Sequence, residues 1–351
     1  MTTPLELARA AYRDVSQYAA DPTPCPIDLS DNTNLWGSPP AAARVLRDIA
    51  ESGFSRYPSA YASELKAALA TYAQVDASRI ATGCGSDDIL DSAIRAFADP
   101  GDRIAFCAPT FAMVPIFARL NGVETVAVPM RDEWDIDPDA LLRTEARIIY
   151  VCSPNNPTGT CASRAMLETL VRNVSGVVIL DEAYAEFADA SHLDLVTASE
   201  RVLATRTMSK AFGLAGLRVG YAIGAPALVA EVEKSRGPYK VSSVAEHAAV
   251  TALERDRPWV TAHVVEARAS RERLGESLRT LGLAPLPSQA NFVLVPVSGA
   301  LRIARHMRER GVAVRAFESL PGVGDALRIT AGPPAMMNEA LDVLSEVLAC
   351  A

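Results

Sequence analysis

Apolar, β-branched runs alternate with helix-period segments along most of this chain, the signature of a mainly parallel sheet with helices on its faces. Strand-like runs fall at 79–82, 104–107, 123–128, 148–151, 177–180, 202–204 and 217–223. The run at 177–180 is apolar throughout, as expected of a strand buried on both faces. A glycine-rich turn after the first run leads into a helix whose Ile89, Leu90, Ala93, Ile94 and Phe97 share one face. A second helix is predicted over 112–120, ended by Asn121 and Gly122. From about Ser243 the pattern changes to a long helical tract over 244–281, a strand at 292–295, a helix over 299–310, two short strands and a closing helix. The expectation is an α/β protein, with a large mainly parallel central sheet flanked by helices over 36–242 and a smaller α+β C-terminal domain over 243–351. Residues 1–35 are expected to complete the smaller domain, with the proline-rich 22–26 as an extended arm.

Composition narrows the function classes. The 351 residues are 49% hydrophobic and 22% charged, as in ordinary globular proteins, and the length suits two domains. A net charge of −8 with no basic block argues against a nucleic-acid partner. No apolar run reaches membrane-spanning length, and the first residues lack the basic-then-apolar layout of a signal peptide. Cys25, Cys84, Cys107, Cys152, Cys161 and Cys350 form no Cys-x-x-Cys pair and are expected to be reduced thiols of a cytoplasmic protein. The four histidines are not paired at ligand spacing, so no metal site is expected. A small-molecule enzyme fits these limits.

The chemistry concentrates where strands end, the edge at which open α/β sheets bind ligands. Lys210 lies among small and apolar residues, after Thr207 and Ser209 and ahead of Arg218. Dehydration disfavours a charged amine and lowers its pKa, which suits a lysine that forms a Schiff base. A surface lysine on a loop is the plain alternative. Ser209 and Arg218 supply a hydroxyl and a planar cation suited to a phosphate. The turn 82–88, containing Gly85, Ser86 and Asp87, lets the backbone approach a phosphate at a helix start, although an ordinary tight turn explains it equally well. It lacks the full G-x-G-x-x-G spacing of a dinucleotide site.

Asp181 directly follows a buried strand, where a carboxylate needs a cation or donor; a helix N-cap is the alternative. A protonated pyridine nitrogen is such a partner, and Tyr184 and Asn156 are placed to meet a ring oxygen. A phosphate, a ring nitrogen, a phenolic oxygen and an aldehyde for the amine together describe pyridoxal 5'-phosphate.

The segments 156–159, 181–184 and 209–218, in this order, resemble the fold-type I pyridoxal-phosphate aminotransferases. More narrowly, 56–58, 85–87, 181–184 and 327–330 are similar to the histidinol-phosphate aminotransferase branch. The resemblance covers nearly the whole chain and implies a homodimer with active sites at the subunit interface. By matching position it implies that Lys210 carries the cofactor, that Asp181 meets the ring nitrogen and that Phe111 stacks on the ring. It gathers Gly85, Ser86, Asp87, Thr207, Ser209 and Arg218 around the phosphate, with Tyr57 reaching in from the other subunit. Arg328, Arg315, Tyr18 and Asn32 are implied on the substrate side. Two departures stand out. Residues 30–34 read Ser-Asp-Asn-Thr-Asn where the branch has Asn-Ala-Asn-Glu-Asn, and Phe111 replaces a tyrosine.

The implied reaction moves an amino group from a donor, L-histidinol phosphate by this resemblance, to 2-oxoglutarate. An aromatic amino-acid aminotransferase and a decarboxylase of a phosphorylated amino acid remain as alternatives. A nicotinamide dehydrogenase would need the missing dinucleotide fingerprint. A ligand sensor of the same fold would carry a fused DNA-binding region, which is not expected here.

Overall fold

The computed structural model describes residues 7–13, 15, 24–49 and 55–349. Tyr18, residues 22 and 23 of the proline-rich 22–26, and Cys350 lie outside them. Among the described residues the strands are β1 (Ile27–Leu29), β2 (Ile80–Cys84), β3 (Arg103–Ala108), β4 (Glu124–Pro129), β5 (Ile148–Cys152), β6 (Val177–Asp181), β7 (Val202–Thr207), β8 (Val219–Gly224), β9 (Phe292–Pro296), β10 (Val312–Leu320) and β11 (Gly324–Thr330). Seven of them form one sheet in the order β2-β8-β7-β6-β5-β3-β4. Only β8 runs against its neighbours there, so the sheet is mainly parallel, as the alternating pattern predicts. The ends of β2, β3, β5, β6 and β7 therefore face one edge.

Strand alternation divides the core. Ile179, Leu203, Tyr150 and Ala222 point to one face of the large sheet, under the helix α1 (Gly85–Phe97). Leu180, Ala204, Tyr221 and Ile223 point to the other. Every residue of β5 and β6 is buried, and each fully buried Ile, Leu or Val contributes roughly 1.5–3 kcal/mol relative to exposure. The buried stripe of α1 includes the five residues expected from its period, Ile89, Leu90, Ala93, Ile94 and Phe97.

The second sheet has the order β1-β10-β11-β9. Here β1 lies parallel to β10, which joins the N-terminal segment to the C-terminal third of the chain. The helices α2 (Ser243–Arg255), α3 (Arg257–Thr280), α4 (Ala300–Glu309) and α5 (Pro334–Ala349) complete this region. Ala245, Ala248 and Ala252 of α2 pack in the core of the large sheet, whereas Leu274 and Leu278 near the end of α3 pack with the second sheet.

Local differences from the sequence pattern have physical causes. The tract 244–281 is two helices, because Asp256 leaves the helical path and turns its carboxylate to the amides of Ala41 (3.0 Å) and Ala42 (2.9 Å). Pro258 then starts α3 in the first turn, the one place where its missing amide costs nothing. The run at 217–223 becomes a strand only at Val219, after a 3-10 turn at Ala215–Leu217 and a left-handed Arg218 with φ 53°. The two strands near the C-terminus are longer than expected, at nine and seven residues, because they pair with each other and with β9.

One contact fixes α1 on the sheet. A Cβ at Gly220 of β8 would lie 2.2 Å from the carbonyl carbon of Gly85 and 2.3 Å from the amide nitrogen of Ser86. Both obstacles are backbone, so neither can swing aside. Gly220→Ala is expected to destabilise by about 1–3 kcal/mol or more, read as a lowered thermal midpoint; an unchanged midpoint would mean that α1 does not start so close to β8.

Candidate active site

Lys210 follows β7 and is held by the N-terminal segment. Its Nζ donates to the carbonyl oxygen of Asp31 at 2.9 Å and stands 6.0 Å from the centre of the Tyr184 ring. Burial, followed by the positive charge of Arg328, lowers its pKa from 10.5 to about 8, against the opposing pull of Asp31 and Asp87. The loop bearing Lys210 is seated by close fit. Asn34 Nδ2 donates to the carbonyl of Ala211 at 3.0 Å, and a Cβ at Gly213 would lie 2.6 Å from the carbonyl oxygen of Gly37.

Asp181 ends β6 and is only 3% exposed. Its carboxylate accepts from the hydroxyl of Tyr150 at 2.7 Å and from the amide of Ala183 at 3.1 Å. Burial pushes its pKa up to about 6 in spite of these donors. No cation forms an ion pair with it among the described residues. Tyr150 is the residue that sequence reasoning missed. The available signal was a phenol in an otherwise aliphatic strand that neighbours the aspartate's own strand.

Tyr184 and Asn32 meet although they are 152 positions apart: Asn32 Nδ2 donates to the Tyr184 hydroxyl at 3.0 Å. Asn32 is 1% exposed and is fixed by three further bonds, with Thr330 Oγ1 on its amide and side chain and Asn291 Nδ2 on its carbonyl. Burial raises the Tyr184 pKa to about 12, so it stays a donor at neutral pH.

Arg328 bridges the two sheets. Its guanidinium donates to Asn156 Oδ1 at 2.6 Å and to the carbonyl of Ser30 at 2.7 Å. The rings of Phe292 and Phe317 flank it at 5.3 and 5.8 Å. Arg315 on β10 is its directly opposed partner across the antiparallel ladder. Like charges in that relation repel, so an anion placed between them would be stabilised by both.

A cradle that could hold an anion lies at the start of α1. Gly85 has φ 81°, and a Cβ there would lie 2.6 Å from Arg218 Nη2. Asp88 Oδ2 accepts from the N-cap amide of Cys84 at 3.0 Å, but the Cys84 side chain makes no cap bond, which leaves the amides that open α1 suited to an anion. Thr207 Oγ1 donates to Ser209 Oγ at 2.9 Å, and Arg218 Nη1 reaches the same oxygen at 3.4 Å. Asp87 stands 3.5 Å from Arg218, its pKa raised by burial against the attraction of Arg218 and Lys210.

Two predicted residues are not in this set of contacts. Phe111 is half-buried beside the core under α1. Tyr57 is 85% exposed and rests on the ring of Tyr239 at 5.0 Å between centroids. A cleft of about 1150 Å³ lies elsewhere, between the two sheet regions; Trp134, Cys161, Arg271 and Gln289 line it, and Lys210 does not.

One edge of this mainly parallel sheet carries a lysine of lowered pKa, a buried aspartate and a glycine-opened helix start beside an arginine. The family described as aminotransferase class I and II matches residues 25–344, and the chain belongs to this family. The chain is 39% identical over 336 residues to the histidinol-phosphate aminotransferase of Roseiflexus castenholzii, covering 92% of this chain and 89% of that one. It is 36% identical over 327 residues to histidinol-phosphate aminotransferase 1 of Archaeoglobus fulgidus, covering 92% and 100%. Among solved structures, the histidinol-phosphate aminotransferase of Sinorhizobium meliloti in complex with pyridoxal-5'-phosphate superposes with a TM-score of 0.83 at 26% identity, covering 93% of this chain and 92% of that one. The aspartate aminotransferase of Thermus thermophilus with maleate gives 0.79 at 25%, covering 92% of each.

The lowered pKa makes a direct prediction. In the cofactor-free protein the Lys210 amine should be half-deprotonated near pH 8, read as the midpoint of its acylation rate by peptide mass mapping. Arg328→Gln removes a positive neighbour and should move that midpoint upward. A wild-type midpoint near 10.5, the ordinary value, would show that the amine is hydrated.

Proposed function

We propose that this chain is a pyridoxal-5'-phosphate-dependent aminotransferase, acting as a cytoplasmic homodimer on L-histidinol phosphate and 2-oxoglutarate. The observation that carries the reading is the convergence of Lys210, Asp181 and the glycine-lined cradle at one sheet edge. The residues fit the cofactor. The cradle is open because Gly85 has no Cβ, Asp181 is a buried carboxylate lacking a cation, and Lys210 is an amine of lowered pKa.

The amides that open α1, with Ser86, Thr207, Ser209 and Arg218, would hold the phosphate. Asp87, beside Arg218, would orient that guanidinium. Asp181 would hold a proton on the ring nitrogen, and Tyr150 would keep the carboxylate aimed. Tyr184 and Asn156 would meet the ring oxygen, and Phe111 would cover the ring. Bound there, the cofactor supplies an electron sink for charge developing at the donor's α-carbon. Lys210 is suited to take up the α-proton and return it, since an amine titrating near pH 8 is poised close to working pH. The exposure of Tyr57 fits a residue that reaches the phosphate of a second copy.

Specificity rests on Arg328 and Arg315. A paired guanidinium site suits a doubly charged phosphate better than a singly charged carboxylate, which favours histidinol phosphate over an aromatic amino acid. The partly exposed ring of Phe317 beside Arg328 favours the aromatic alternative, whereas Phe292 is fully buried. Tyr18 and the 30–34 segment would complete the substrate side.

Lys210→Ala should lower turnover by about 10²–10⁴-fold or more; substantial residual transamination would refute its role. A single-turnover screen of amino donors, following the cofactor's visible absorbance, tests the substrate. Histidinol phosphate should react fastest. If it is inert while phenylalanine or tyrosine reacts, or if a phosphorylated amino acid loses carbon dioxide, the donor is wrong and the lysine chemistry stands.

A further inference from the structure

Behind the site, on the opposite face of the large sheet, lies a buried ion pair that none of the roles above uses. Asp181 continues the row of Val177 and Ile179, whereas Glu182 continues the row of Val178 and Leu180 and points the other way. On β7, Thr205 is level with Asp181, and Arg206 is the next residue along. Arg206 is 7% exposed and Glu182 1%. The guanidinium donates to one Glu182 oxygen through Nε at 3.0 Å and Nη2 at 2.6 Å. The hydroxyl of Ser191 and the amide of His192 donate to the other oxygen at 3.2 and 3.0 Å, and Arg206 Nη2 also donates to Ser191 Oγ at 2.7 Å.

A pair this deep is weak evidence for stability, because two charges must be stripped of water to form it, and an apolar replacement of similar volume is often neutral or better. Its placement suggests another use. It clamps the β6 end one residue beyond Asp181 to the β7 end one residue before Thr207 and four before Lys210. Any slip between these strand ends would change where the carboxylate, the phosphate hydroxyls and the amine stand relative to one another.

We propose that Arg206 and Glu182 are positioning residues, a rear clamp that sets the spacing of Asp181 against the 207–210 segment. The inference rests on the catalytic reading of Lys210 and Asp181. A displacement of about 1 Å in such a site can cost on the order of 100-fold in rate.

The test is the volume-conserving apolar pair, Arg206→Met with Glu182→Leu, beside Arg206→Lys and Ser191→Ala. The double variant should melt at or above the wild-type temperature, yet bind pyridoxal phosphate and turn over about 10- to 100-fold less well. The pH at which its bound cofactor titrates should also shift. In the cofactor-free protein, the Lys210 acylation midpoint should rise from about 8 toward 10.5 as the 207–210 segment loosens and water reaches the amine. Arg206→Lys, which keeps the charge and loses the fork, and Ser191→Ala should move the same readouts partway. A double variant with wild-type melting, cofactor affinity, kcat and acylation midpoint overturns the clamp. If that variant fails to fold, unmoved readouts in Arg206→Lys and Ser191→Ala overturn it instead. A wild-type protein that takes up no cofactor would sink the functional reading, while the acylation midpoints still decide the clamp.

Discussion

Desolvation of one amine is the constraint on which the site depends. Lys210 would prefer water and its charge; the structure denies it much of both, enclosing it between the 31–34 segment, Tyr184 and the end of β7, with Arg328 adding repulsion. The same exclusion of water raises the pKa of Asp181 in the opposite chemical sense. An amine that loses its proton easily and a carboxylate with no cation of its own are each unfavourable alone. They become useful together when a ligand brings an aldehyde to one and a basic ring nitrogen to the other. In this reading the fold carries the cost of both in the apolar mass of β5, β6 and β7 beneath them.

The second sheet closes the site rather than merely sitting beside it. β11 supplies Arg328 and Thr330, which tie to Asn156, Ser30 and Asn32. Asn32 then reaches Tyr184 beside the large sheet. The short stretch 30–34 is the seam: its backbone carbonyls accept from Lys210 and Arg328, and its side chains hold Tyr184 and the loop after the lysine. These contacts depend only in part on which residues stand at 30–34. Two of its contacts are made by backbone, which any residue provides.

Much of this was legible in the sequence because the unusual residues stand at strand ends. Asp181 after an apolar strand, Lys210 among small residues, and glycines at 83 and 85 before a periodic helix each break a local rule, and the structure gathers them at one edge. What was not legible depends on register and on distant partners. Tyr150 looks like any buried aromatic until β5 is laid beside β6. The opposition of Arg315 and Arg328 follows only from the β10–β11 pairing. The break at Asp256 was hidden because a carboxylate followed by Arg-Pro reads as helix start or helix interior alike, and only the amides of Ala41 and Ala42 decide it.

The most direct measurement is covalent. The purified chain would be incubated with pyridoxal phosphate, reduced with borohydride, digested and mapped by mass. The added mass should be confined to Lys210 and should be lost, or greatly slowed, when Asp181 is changed to Asn. A label spread over surface lysines, or no label at all, would contradict the proposal that this amine, facing this carboxylate, is the centre of the chemistry.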